Sequence, residues 1–261
     1  MNFLQAAILG IVEGLTEYLP ISSTFHLIWT AKLLRITQTD FQKTFEIIIQ
    51  SGAIMAVLVL YLKTILRDFN LIKKLVVSFF PTAIIGLILY KVIKNVFFES
   101  FFVQIAIFAL VGLLFIVLEK IWAKKQFFRL ANQISYPEAL MIGLAQALAV
   151  FPGVSRAGAV ILSLMFLGVK RDEAAKYSFL LAVPTLLSAS ALDLVKSRSI
   201  LLQQANNIPL LLVGFMASFV SALIVVRWFI NYLQNNKLSS FGWYRLIVVT
   251  ILIGLLISNL I

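Results

Sequence analysis

Glu13 and Glu17 stand four residues apart inside the apolar opening segment of the chain. On a helix that spacing puts both carboxylates on one face. An ionised acid within the bilayer costs about 2.5–3.5 kcal/mol even on lenient insertion scales, so two side by side require a cation, an arginine or a shared proton. Either acid could ligate a hard divalent metal, and one could act as a general base; a pair facing water at a helix end is the structural alternative. Just downstream, Pro20 is followed by Ser22, Ser23, Thr24 and His26. The hydroxyls could cap a helix that restarts after the proline. If 23 and 26 share the first turn of that helix, Ser23 could instead be a nucleophile served by the His26 imidazole; His26 could equally be a core ring. Far along the chain, Arg156 sits among Pro152, Gly153, Ser155 and Gly158 in a second apolar segment. Its guanidinium matches phosphate oxygens bidentately, and a helix starting after Pro-Gly offers free N–H groups to an anion. Pairing with Glu13 or Glu17 is the structural alternative. Acids, hydroxyls, an imidazole and an arginine in one cavity would suit phosphoryl transfer or phosphate-ester hydrolysis.

The elements that must bring these groups together lie in a bilayer. Of 261 residues, 61% are apolar and only 13% charged, against about 25% charged in a soluble domain. The chain has no Cys and one His, which removes disulfides, thiolate catalysis and paired-histidine chemistry. The formal charge of +11 is no sign of a nucleic-acid partner, because the 22 Lys and Arg lie almost entirely between apolar runs, where they set membrane topology.

Six stretches are long and apolar enough to span: about 45–62, 75–90, 101–118, 178–194, 208–226 and 246–261, with Glu46 and Asp193 the charges inside them. Two more, 1–36 and 136–168, are broken midway, at Pro20-Ile21-Ser22-Ser23-Thr24 and at Pro152-Gly153-Val154-Ser155-Arg156. Half-length helices around a polar break read as re-entrant hairpins, tolerated at membrane depth where they line a protein-enclosed cavity. With its internal acids and no basic lead, the first segment is not expected to be a cleaved signal. With the spans alternating, fourteen basic residues, from Lys63 and Arg67 to Lys237 and Arg245, fall on one side, and seven, including Lys32, Lys91, Lys94, Lys196 and Arg198, on the other. The richer side is cytoplasmic, so both termini and the first hairpin face outward.

A shift of 133 residues places Gly10 on Gly143, Glu13 on Gln146, Ser22 on Ser155, Ser23 on Arg156 and Lys43 on Lys176. Each unit is a hairpin and three spans, about 1–118 and about 135–261, and an odd number of crossings turns the second upside down. The expected fold is therefore one all-α polytopic membrane domain over 1–261, with six transmembrane helices, two re-entrant hairpins and an inverted-topology repeat. The small residues Gly214, Ala217, Ser218 and Ser221 form a stripe that packs a helix inside the monomer or, alternatively, in a homodimer.

The runs Glu13-Gly-Leu-Thr-Glu17-Tyr-Leu-Pro20-Ile-Ser22-Ser23-Thr24-Phe-His26, Phe45-Glu46 with Gln50 and Gly52, and Pro152-Gly153-Val-Ser155-Arg156 resemble the bacterial undecaprenyl-diphosphate phosphatase family, also linked to bacitracin resistance. The resemblance implies a multi-pass inner-membrane enzyme whose site opens to the outer face. It would hydrolyse a polyprenyl diphosphate lipid to the monophosphate and phosphate with a divalent cation, Mg or Ca, recycling the carrier for peptidoglycan synthesis. It makes Glu13 and Glu17 metal or base groups, Ser23 the nucleophile and His26 its partner. Ser22, Thr24, Gly153, Ser155 and Arg156 would bind the diphosphate. Phe25 stands where the family usually has a small residue, and Ala157 and Val160 stand where it has Ser and Thr, so two expected phosphate-facing hydroxyls are missing. A polyprenyl-phosphate transporter or an impaired lipid-diphosphate binder would use the same pocket. The charge count predicts that a reporter fused after Ile261 registers on the outer side, as read by a compartment-specific reporter pair; a cytoplasmic signal contradicts the sidedness.

Overall fold

The computed structural model describes residues 1–37, 39–92, 101–196 and 207–258. Among them are ten α-helices and no strand. Six are long and apolar enough to cross a membrane, which makes this a multi-pass membrane protein. They are α3 (Asp40–Arg67), α4 (Phe69–Val92), α5 (Phe101–Ile121), α8 (Arg171–Lys196), α9 (Ile208–Asn235) and α10 (Ser239–Ile257). All six expected spans are present, and most run several residues past the hydropathy-based limits because polar ends continue the helix. Lys94, Arg198 and Ile261 lie outside the described residues, as do the side chains of Lys91, Asp193 and Lys196.

The two broken segments fold as short helix pairs. α1 (Phe3–Thr16) and α2 (Ser23–Leu33) flank the first break, and α6 (Tyr136–Ala147) and α7 (Arg156–Phe166) flank the second. α1 starts in a reciprocal cap between Asn2 and Gln5, and α6 in one between Ser135 and Glu138 with Pro137 in its first turn. Arg129 bonds Glu138 through both Nη atoms, at 2.7 and 2.9 Å, and holds its carboxyl down to about 2.

Packing crosses between the halves. α1 lies on α9 and α6 on α4, while α3 meets α8 and α5 meets α10. The stripe on α9 is the seat of α1: any Cβ on Gly10 would collide with Gly214 and Ala217, and one on Gly14 with Ser218 and Ser221. The stripe thus packs inside the monomer, by the close backbone approach that drives helix association in lipid. α6 is fixed to α4 by hydroxyls, since Ser78 donates to the Ala139 carbonyl at 2.7 Å and Thr82 to that of Gly143 at 2.9 Å.

At one end of the bundle the loops expected to be basic meet. Arg171 forks onto Glu119 at 2.6 and 3.0 Å, and the same carboxylate accepts from the Leu238 amide at 2.9 Å. Lys125 donates to the Phe166 carbonyl at 3.3 Å and Lys74 to that of Asn132 at 2.5 Å. Arg245 does not belong to this end. It is wholly buried in α10, so its place among the fourteen charges expected to face the cytoplasm is corrected: its charge serves the interior.

Candidate functional site

The two breaks face each other. Arg245 is the link: its Nε donates to Pro20 O at 2.9 Å, and its Nη1 to Gly153 O at 2.8 Å and Phe108 O at 3.4 Å. Its Nη2 reaches Val154 O at 3.4 Å, and Phe108 and Phe115 lie under the guanidinium at 4.6 and 5.3 Å. Carbonyls in non-helical peptide have no helical donor, and at membrane depth each left bare costs several kcal/mol. One guanidinium satisfies both breaks at once. Phe25 completes this platform by stacking flat on Phe108, 4.0 Å between centroids; the unusual ring fills space beside the arginine.

Each break ends in a serine with a left-handed backbone, Ser22 at φ 67° and Ser155 at φ 70°, immediately before a helix. Such a conformation costs about 1–3 kcal/mol in a non-glycine residue and persists only where its surroundings fix it. It aims the starts of α2 and α7 at a common cavity of about 130 Å³. Ser22, Ser23 and Thr24 line it from one helix start, and Gly153, Ser155 and Arg156 from the other. Glu17 and, from α3, Gln50 complete its polar wall. Two helix N-termini, whose first amides have no partner within the helix and whose dipole ends are positive, beside a guanidinium form an anion site. The volume fits a small head group, well under the 300 Å³ or more typical of a drug-sized ligand. A larger open groove, lined by Phe69, Ile72, Val76 and Tyr136, is almost wholly apolar and shares no residue with it.

Glu17 is the hinge of the polar network. Its Oε1 accepts from Arg156 Nη2 at 3.1 Å, and its Oε2 accepts from the Ser23 hydroxyl at 2.5 Å. Arg156 also donates Nη1 to Ser178 O at 2.7 Å, and its buried Nε has no partner. The guanidinium therefore keeps donors in reserve after pairing with the acid. Glu13, one turn back, is 1% exposed; its carboxyl lies against that of Glu17 and meets no donor among the described residues. It adjoins Glu17 without lining the cavity. Ser155 caps α7, accepting from Gly158 N at 3.2 Å, whereas the Ser22 side chain makes no cap bond on α2.

His26 is not joined to Ser23. Its Nδ1 lies 2.8 Å from Ser22 O and its Nε2 2.8 Å from the Tyr244 hydroxyl. The first-turn spacing that put 23 and 26 on one face holds, yet the imidazole turns toward α10 while the Ser23 hydroxyl turns to Glu17. That corrects the expected serine–histidine pairing. Arg245, Tyr244 and Gln50 were not among the expected site residues. An arginine one residue before a hydropathy-defined span looks like an interfacial charge, and only its embedding within the helix that begins at Ser239 distinguishes it.

Ala157 and Val160 are completely buried in the apolar core and do not line the cavity. The hydroxyls missing there are therefore not missing from the pocket. Ala157→Ser and Val160→Thr are expected to leave phosphate release from a polyprenyl diphosphate within about twofold of the parent, since neither touches the anion site. Arg245→Ala should reduce that release by at least about 100-fold, the scale of a misplaced catalytic group, and lower the melting temperature in detergent. Arg245→Lys, lacking the planar fork, should fail to restore turnover; parent-like turnover in either variant contradicts the bridging role.

Comparison with known proteins gives the chain its relatives. The family described as bacitracin resistance protein BacA matches residues 6–251. The chain is 45% identical over 244 residues to the undecaprenyl-diphosphatase of Aquifex aeolicus, covering 94% of each protein. It is 43% identical over 255 residues to that of Campylobacter fetus, covering 96% of this chain and 98% of the relative. It is 44% identical over 250 residues to that of a Sulfurihydrogenibium species. With two breaks clamped around one anion cavity and a match that extends nearly end to end, this chain belongs to the bacitracin resistance protein BacA family.

Proposed function

We infer that this chain hydrolyses undecaprenyl diphosphate to undecaprenyl phosphate and inorganic phosphate. The carrying observation is the cavity itself, where two helix N-termini and the Arg156 guanidinium converge on the space beside the Glu17–Ser23 pair. Donors aimed where negative charge develops are the largest single contribution to such chemistry. Arg156 binds the diphosphate with the donors that Glu17 leaves unused. Ser23 attacks the terminal phosphorus, and Glu17, already accepting its hydrogen bond, takes its proton. Undecaprenyl phosphate departs as a dianion that needs no proton, and water then releases phosphate from the serine. Ser22, Thr24, Gly153 and Ser155 contribute hydroxyl and backbone contacts around the head group.

Glu13 and Glu17 are the residues that would hold a divalent cation, Mg or Ca. The support is Glu13, a buried acid whose two bare oxygens lie within the field of Glu17, Glu46 and Arg156. Among the described residues no third His, Asp or Glu completes a metal cluster, so phosphate oxygens and water would fill the remaining positions. Bound there, the ion would neutralise phosphate charge and polarise the bond to be broken.

The helix pairs at the two breaks act as re-entrant hairpins of an inverted repeat. The reciprocal packing of α1 on α9 and α6 on α4, with α3 on α8 and α5 on α10 as self-related pairs, supports it. The site opens to the outer face of the bacterial cytoplasmic membrane, in keeping with the excess of basic residues at the opposite end. There the reaction returns the lipid carrier to peptidoglycan synthesis and counters bacitracin.

Purified protein with Mg²⁺ or Ca²⁺ is expected to release phosphate from a polyprenyl diphosphate and to stop in EDTA. Arg156→Ala and Glu17→Ala should each lower turnover by at least about 100-fold, as for a removed transition-state stabiliser. Near-parent rates in both variants would overturn the site.

A further inference from the structure

The single histidine has an unused chemistry. Nδ1 of His26 faces the Ser22 carbonyl at 2.8 Å. A carbonyl only accepts, so Nδ1 carries the hydrogen and Nε2 is the bare, basic nitrogen of the neutral ring. Nε2 lies 2.8 Å from the Tyr244 hydroxyl, which in this state donates to it. A phenol can also accept, so if Nε2 gains a proton the O–H need only rotate and the same 2.8 Å contact reverses direction. Neither side chain has to move.

The surroundings hold this arrangement in place. The Tyr244 and His26 rings stack at 5.7 Å and 14°, and the edges of Phe25 and Phe108 close on the imidazole at 5.9 and 5.8 Å. Tyr244 is the neighbour of Arg245, whose guanidinium is fixed to both breaks, so its ring is set by the same clamp that shapes the anion cavity. Ser22, whose carbonyl selects the tautomer, lines that cavity.

Hydrolysis makes a proton. At neutral pH a diphosphate monoester trianion and one water give a phosphate monoester dianion, hydrogen phosphate and H⁺. Glu17 takes the Ser23 proton during the attack, so the proton released over the whole reaction needs a further acceptor, and Nε2 of His26, three residues along α2 from Ser23, is a neutral base. We propose that Tyr244 is a positioning residue for this reaction: its phenol holds His26 with Nε2 as the ring's basic nitrogen, donating to it while the ring is neutral, and accepts from Nε2–H once that proton is bound. The proposal rests on the hydrolysis reading given above.

Tyr244→Phe keeps the ring stack and deletes only the hydroxyl. It is expected to lower kcat about tenfold with KM unchanged, on the scale of a lost partner that orients a histidine. Since Tyr244 acts through His26, the same substitution should cost nothing further in a His26→Gln background. Because the chain has one His, ¹⁵N-histidine labelling gives one imidazole spectrum. The parent should show protonated Nδ1 and bare Nε2, and Tyr244→Phe should shift the Nε2 resonance. Parent kcat in Tyr244→Phe, an equal loss in the His26→Gln background, or a parent ring protonated on Nε2 alone each overturns the proposal. Should Tyr244→Phe fail to fold in detergent, the parent spectrum decides. An inactive parent overturns the hydrolysis reading itself, whereas an active parent matched by Tyr244→Phe overturns only the role of Tyr244.

Discussion

A buried guanidinium shared between two interrupted helices is the constraint from which the rest follows. Arg245 has no carboxylate among its hydrogen-bond partners; backbone carbonyls of the two breaks and of α5 solvate its charge. Taking such a cation out of water costs several kcal/mol, and leaving the carbonyls bare in the same environment is comparably costly. Neither arrangement is tolerable alone. Together they cancel, but only when both breaks approach the same point from opposite helices. The convergence that makes a cavity is therefore enforced by the desolvation of groups that take no part in chemistry.

Within the cavity, Glu17 limits how tightly the free site can hold itself together. It binds Arg156 through one oxygen and Ser23 through the other. A fully satisfied arginine would have nothing left for phosphate, and a fully satisfied serine could not approach phosphorus. Arg156 instead keeps Nε without a partner, and Ser23 is already aligned with its proton acceptor. The pair is a resting arrangement that a trianionic head group can enter by adding to the guanidinium's contacts, without first breaking the ion pair.

How much of this could be read in the sequence depends on the range of the interaction. The six spans and the two breaks are local hydropathy, and they stand where composition placed them. The acids, the Ser-Ser-Thr run and Arg156 were legible because charges and hydroxyls in apolar stretches are expensive wherever the chain folds. The partners were not. Ser23 has two candidate partners, His26 three residues later and Glu17 six before, and helical spacing pointed to His26, whereas the hydrogen bond goes to Glu17 because residues 17 and 23 are joined by a turn whose geometry no periodicity predicts. Arg245 failed for a related reason: hydropathy gives depth along one helix, whereas its role depends on carbonyls from residues 20, 108, 153 and 154. The missing hydroxyls at 157 and 160 suggested a weakened pocket until the rotation of α7 put both positions in the core.

Glu13 and Gln146 show how differently the two breaks are furnished. They occupy equivalent positions in the proposed repeat, both fully buried. Gln146 is neutral and spends its amide on α4 and α8, donating to Thr82 at 2.8 Å and Thr185 at 3.2 Å. Glu13 has no such amide: its carboxyl lies against that of Glu17 and meets no donor among the described residues. At the pair just after the matched serines 22 and 155, Ser23 carries the hydroxyl and Arg156 the charge. One break thus carries two acids and a hydroxyl, the other a cation, and in the cationic half the position matching Glu13 is a neutral packing contact while that matching Glu17 is Val150. A carboxylate at 146 would have put a third negative charge near the head group that Arg156 must attract. The asymmetry is what allows two breaks of similar backbone, each ending in a serine at positive φ, to bind a polyanion between them instead of repelling it.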